Sequence, residues 1–229
     1  LVKKGDLVTE GQKIGDVKAF VSAPVHSSIS GKVKDIEISQ HPGGFRSLSI
    51  VIEGDGTAKE WGGPAKDLSS ISVDALKDAI REAGIVGMGG AAFPTSVKLA
   101  PPKGKSIEAV ILNGCECEPY LTADHRIMLE EPEKVVWGLR ALMKTLAAPR
   151  GFIGIEENKP DAIEALRKAI GSSTDIQIII LEAKYPQGAE KMLIVAATGK
   201  KVPVGKLPLD VGVVVNNVGT AAAIFEAVN

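Results

Sequence analysis

Four short stretches of the chain carry residue types that suit a phosphorylated, hydroxyl-rich ligand. The first is Gly87-Met88-Gly89-Gly90-Ala91-Ala92-Phe93-Pro94-Thr95-Ser96-Val97-Lys98. Its small residues let the backbone turn tightly and let a flat or charged ligand lie against it, because no Cβ bulk intervenes. Pro94 suits the first turn of a helix, whose free N–H groups and positive dipole end favour an anion. Lys98, about one turn further on, adds a full positive charge, and Phe93 puts an aromatic ring beside the glycines. The same residues also fit a turn that only packs a helix closely on a strand.

The other three stretches follow apolar runs. Asn113-Gly114-Cys115-Glu116-Cys117-Glu118-Pro119-Tyr120 comes after Ala109-Val110-Ile111-Leu112. An amide and two carboxylates there can hold hydroxyl groups, since the amide both donates and accepts. A polar, solvated loop is the competing account. Lys184-Tyr185-Pro186-Gln187-Gly188-Ala189-Glu190 is a second glycine loop, after Ile176 to Leu181. Asn216-Asn217-Val218-Gly219-Thr220 follows Val211 to Val215, and Asn and Thr there read equally well as helix caps.

The elements that must position these residues read as alternating strands and helices. Apolar strands at 109–112, 152–155, 176–181 and 211–215 are separated by helices opening at Pro132, at Pro160 and after Gly188, and a last helix starts near Thr220. Continuous apolar strands alternating with helices predict a parallel sheet covered on both faces, with the ligand outside the strands' carboxyl ends. Ser72 caps a further helix carrying Leu76 and Ile80, which Gly84 ends.

Residues 1–53 look different. Turn signals recur at Lys4-Gly5-Asp6, Gly15-Asp16, Ser30-Gly31 and Pro42-Gly43-Gly44, and Leu48, Ile50 and Ile52 alternate as in a half-buried strand. This predicts a small all-β module at 1–53, a linker at 54–67 and an α/β domain at 68–229. Val2 to Gln12 and Ser22 to Val33 resemble the two halves of a biotinyl/lipoyl-type barrel-sandwich. Carrier versions hold a lysine at a hairpin tip, and Lys18 is not at the matching spacing, which favours a structural module.

Composition narrows the classes. The chain has 229 residues, 45% hydrophobic and 24% charged, with a formal net charge of −1, so no polyanion partner is implied. Aromatics at 4% argue against a base-stacking nucleic-acid surface. No apolar run approaches the ~20 residues of a membrane span. Cys115 and Cys117 are the two cysteines; they are expected to point apart, which argues against a disulfide. With His26, His41 and His125 they make no metal set, and a reducing cytosolic setting is expected.

Taken together, the motifs resemble the RnfC family of Rnf electron-transport complexes, related to the NADH-binding flavoprotein subunit of complex I. The 87–98 stretch looks like the flavin loop of that complex I flavoprotein, Asn113 to Pro119 like its acidic segment, Gly188 with Glu190 like its second glycine loop, and 216–220 like its Asn-Asn turn. Cys-Glu-Cys-Glu-Pro-Tyr with Ala123-Asp124-His125-Arg126, and Gly154 to Pro160, read like the RnfC family. The resemblance implies a Rossmann-like FMN-binding domain behind a barrel-sandwich module. It implies FMN held by Gly87, Gly89, Gly90, Lys98, Asn113, Cys115, Glu116, Gly188, Glu190, Asn216, Asn217 and Thr220. NADH would stack on Phe93 and meet Glu118, passing hydride to the flavin. It also implies other Rnf-type membrane subunits as partners, ferredoxin indirectly, no nucleic acid, and a peripheral place on the cytoplasmic side of the membrane.

The sequence departs from the complex I pattern at Met88, where a basic residue is usual, at Cys115 in place of aspartate, and at Ala189 in place of the first of two glutamates. The family's two Cys-rich runs for [4Fe–4S] clusters are missing, so the chain is expected to be a fragment lacking that C-terminal region. A related flavoprotein such as a cobalamin reductase, and a non-catalytic docking module, are the alternatives.

Overall fold

A computed structural model describes residues 1–59 and 63–229. The expected linker at 54–67 therefore falls partly on 60–62, outside the described residues. The chain divides into two compact units, one of residues 1–62 with 82–84, the other of 63–81 with 85–229.

The first unit holds β1 (Leu7–Val8), β2 (Lys13–Gly15), β3 (Val25–His26), β4 (Gly31–Gln40) and β5 (Arg46–Gly54). They form an antiparallel sheet of order β1-β4-β5 and a two-stranded pair β2-β3. Val8, Ile14 and Val33 make its small core, with Ile36, Ile50 and Ile52 packed on it. Gly31 begins β4 because a Cβ there would sit 2.1 Å from the Glu53 carbonyl oxygen. The alternation of Ile38 and Leu48 continues outward, but both are exposed at the far end of the β4–β5 ribbon.

The second unit takes all but the last residue of α1 (Val73–Glu82), where the Ser72 hydroxyl accepts the Ala75 N–H at 3.2 Å and Leu76 and Ile80 are fully buried. Next come α2 (Thr95–Lys98), β6 (Ala109–Gly114), α3 (Ala123–Glu130), α4 (Pro132–Leu146), β7 (Arg150–Glu156), α5 (Pro160–Ile170), β8 (Ile176–Leu181), α6 (Glu190–Thr198), β9 (Val213–Asn217) and α7 (Val218–Val228). The four strands are parallel, in the order β8-β7-β6-β9. Alternate strand residues feed two cores. Val110, Leu112, Ile153, Ile155 and Val214 pack with α1, α4, α5 and α7; Ala109, Ile111, Phe152, Val213 and Val215 pack with Leu193 and Ile194 of α6. The chain moves from β6 to β7 and β8, then crosses back with α6 to place β9 beyond β6. The strand order thus reverses between β6 and β9, and their carboxyl ends flank the crevice where open α/β sheets bind ligands.

Three expectations needed correction. The helix after Pro94 is a single turn, α2, with Pro94 before it, so it supplies almost no dipole. The last strand starts at Val213, because Pro208–Val211 forms a 3₁₀ turn and Gly212 takes φ 74°. Helix α3 was not expected from the pattern, as Met128 is its one fully buried residue and so leaves little apolar periodicity.

Candidate functional site

A cavity of about 640 Å³ lies at that crevice, within the range of small-molecule sites. The glycine loop forms one wall. It doubles back so that Gly87 N–H donates to the Phe93 carbonyl at 2.9 Å, and Thr220 Oγ1 accepts the Met88 N–H at 3.0 Å. Gly87, Gly89, Gly90, Ala91 and Phe93 line the cavity. A Cβ at Gly89 would meet only Asn217 Cβ, at 3.5 Å, which is ordinary contact. The protein's own packing thus does not require a glycine there, and the space its missing side chain leaves belongs to the cavity.

The strand ends supply much of the remaining lining. Asn113 bridges two segments: its amide nitrogen donates to the Gly188 carbonyl at 2.8 Å and its oxygen accepts the Cys115 N–H at 3.0 Å. Glu116 takes the Asp124 and His125 N–H groups at 2.9 and 3.0 Å, capping α3. Asn217 caps α7, its oxygen accepting the Gly219 and Thr220 N–H groups. Its amide nitrogen donates to Asp124 at 2.5 Å. Asn216 differs: the residue is 4% exposed, lines the cavity, and neither its amide oxygen nor its nitrogen has a partner in the protein. A buried amide without partners costs about 1–3 kcal/mol and is retained where something else satisfies it.

Lys98 reaches into the cavity wall, where Nζ donates to the Val215 carbonyl at 2.8 Å and lies 3.9 Å from Glu190 Oε1. Burial lowers its pKa, with Glu190 opposing that shift. The carboxylates Glu116, Glu118, Asp124 and Glu190 share the lining with this lysine. Cys115 and Cys117 do not point apart. The strand ends at Gly114, both thiols are free, and both line the same cavity. Cys117 Sγ accepts the Gly188 N–H at 3.0 Å, and burial, reinforced by Glu156, pushes the Cys115 thiol up to about 12. Behind them, Lys159 and Glu156 form a buried ion pair at 2.7 Å.

The cavity therefore gathers Gly87, Gly89, Gly90, Phe93, Lys98, Asn113, Cys115, Glu116, Glu118, Gly188, Glu190, Asn216 and Asn217. Thr220 is fully buried and not in the lining; its hydroxyl holds the loop through Met88. Asp124, Tyr185 and Pro186 also line it; the sequence motifs contained them, but they were not among the residues expected to hold FMN or NADH. The signal for Asp124 was its place in the first turn of a helix that the pattern did not reveal.

A parallel sheet whose order reverses beside a glycine loop, with an orphaned amide in a roomy crevice, defines an open α/β domain with a ligand crevice at the switch point. Residues 80–226 match the family model of the Nuo51 FMN-binding domain, and residues 1–57 that of the RnfC barrel sandwich hybrid domain. The chain belongs to the Nuo51 FMN-binding domain family, with an RnfC-type module in front. It is 55% identical over 229 residues to the C subunit of the Na(+)-translocating ferredoxin:NAD(+) oxidoreductase complex of Acetobacterium woodii, matching 99% of this chain and 52% of that protein. It is also 55% identical to the proton-translocating counterpart of Clostridium ljungdahlii, over 100% of this chain and 50% of that one. The chain thus spans about half the length of these curated relatives. The NAD+-reducing [NiFe]-hydrogenase in its H2-reduced state superposes with a TM-score of 0.57 at 25% identity, over 71% of this chain and 32% of that one.

Proposed function

We propose that this chain is the FMN-holding, NAD(H)-reactive part of an ion-translocating ferredoxin:NAD oxidoreductase, with its domain boundaries at 53 and 68. The orphaned Asn216 amide carries the reading, because it lines a cavity that a backbone of small residues also lines. FMN bound there would accept a hydride as a pair and release electrons singly. In a Rossmann-like arrangement, Gly87, Gly89 and Gly90 would let the flavin lie against the loop backbone, and Asn216 would take up its polar edge. Asn113, Cys115, Glu116, Gly188, Asn217 and Thr220 hold the surrounding segments in register, and Lys98 with Glu190 sets the local charge. Phe93, 38% exposed at the rim, offers a ring face to the dinucleotide, and Glu118 meets its ribose or nicotinamide end. Among the described residues no helix is long and apolar enough to cross a membrane. The reading places the chain on the cytoplasmic side through other Rnf-type subunits, with ferredoxin served indirectly through iron–sulfur clusters of the complex.

The test is flavin identification after denaturing the purified protein, alongside the Gly89→Asp variant. FMN is expected in the parent and not in the variant, since a side chain and a like charge would both enter the ligand's space. Equal flavin occupancy in the two proteins overturns the site assignment.

A further inference from the structure

Two neighbouring asparagines at the end of β9 have the same side chain and opposite fates. Asn217 is fully paired and Asn216 is not paired at all. The side chain of Asn217 has one orientation open to it. Its oxygen accepts two N–H groups of α7, so its NH₂ must face the other way, and there Asp124 Oδ2 lies 2.5 Å away. Asp124 is itself held in place, because Glu116 takes its backbone N–H together with that of His125. Gly219 leaves room for the arrangement, since a Cβ there would come within 3.0 Å of Asn217 Oδ1 and 3.4 Å of Asp124 Oδ1.

We propose that Asp124 is the positioning residue of the two-asparagine turn: by taking the Asn217 amide nitrogen it locks that side chain as a helix cap, so that the Asn216 amide is the one presented to the ligand. The inference rests on the flavin reading for what the ligand is, and on this chain's own contacts for how the turn is held. Consecutive residues at a strand end project to opposite sides, so a turn fixed through Asn217 also fixes the direction of Asn216. The charged groups facing Asp124 are Glu116, on the segment after β6, and Lys159, at the head of α5. Burial raises its carboxyl pKa to about 6, with Glu116 adding to the rise, while the Asn217 hydrogen bond and Lys159 lower it.

The test compares Asp124→Ala with Asp124→Asn. The first removes the acceptor and leaves a buried N–H unpaired; the second keeps an acceptor oxygen and removes the charge. By fluorescence titration, Asp124→Ala is expected to weaken FMN binding roughly tenfold and Asp124→Asn to restore it to within about twofold of the parent. Parent-like binding by Asp124→Ala, or equal weakening in both variants, overturns the proposal. A second readout needs no flavin. In the ligand-free protein, the Asn217 side-chain amide resonance is expected to shift with pH around a midpoint near 6, and to show no such step in Asp124→Asn. An Asn217 side-chain amide resonance at the same position in the parent and in Asp124→Asn overturns the proposal even if Asp124→Ala fails to fold. A parent that binds no FMN yet shows the amide step sinks the flavin reading and leaves the positioning role standing.

Discussion

Phe93 sits at the rim of the cavity, 38% exposed, on a loop whose neighbours Gly90 and Ala92 both take positive φ. An aromatic side chain held there keeps its apolar face partly wet, which is unfavourable unless a second flat group covers it. Stacking of that kind contributes about 1 kcal/mol, or about fivefold in an equilibrium. Phe93→Ala is therefore expected to raise the Michaelis constant for NADH about fivefold and leave FMN content unchanged, because the loop's hydrogen bonds run through backbone atoms and Thr220. Steady-state kinetics on flavin-loaded protein check this, and an unchanged constant with full flavin removes Phe93 from the dinucleotide site. The other polar residues around the cavity divide by where their hydrogen bonds go. Asn113, Glu116, Asn217 and Thr220 satisfy backbone groups of neighbouring segments, whereas Asn216 satisfies none. Residue type alone does not separate these cases, since a cap and a ligand contact call on the same amide and hydroxyl chemistry.

Among the elements, α4 and α7 pack most closely where Gly138 faces the backbone of Ala221. A Cβ at position 138 would lie 2.0 Å from the Ala221 carbonyl oxygen, and a helix backbone cannot yield as a flexible side chain can. Overpacking of a core costs about 1–3 kcal/mol and sometimes more, while alanine's better helix propensity returns at most about 1 kcal/mol. Gly138→Ala is expected to destabilise the second unit by about 2 kcal/mol net, read as a lower denaturant midpoint at unchanged slope. Because α7 begins at the Asn217 cap, the same variant is expected to weaken flavin retention indirectly. The glycine loop works by a related principle at this scale. Its following helix is one turn long, so the wall it forms acts through missing side chains and the half-buried Lys98 rather than through a helix dipole.

At the scale of the whole chain, two cysteines bound what electron chemistry it can house, because a [4Fe–4S] cluster takes four thiolates. This stretch, loaded with FMN, is expected to be reduced by NADH and to pass electrons to a small artificial acceptor, but not to ferredoxin, and to contain no cluster iron. Iron analysis and a ferredoxin-reduction assay on these 229 residues, beside the full-length Acetobacterium woodii relative, check the assignment; stoichiometric cluster iron in these residues would reverse it. The succession of strands and helices was legible in the sequence. Buried parallel strands must be apolar throughout, and proline and glycine mark helix ends wherever they fall, so 109–112 and the helices opening at Pro132 and Pro160 follow from local chemistry. Which side chains meet was settled only by the fold. The reversal of strand order beside β6 brings Asp124 to Asn217, 93 positions away, and Thr220 to Met88, 132 away. Pairings at such separation are fixed by the packing of helices on a sheet, which leaves no trace in the spacing of residues along the chain.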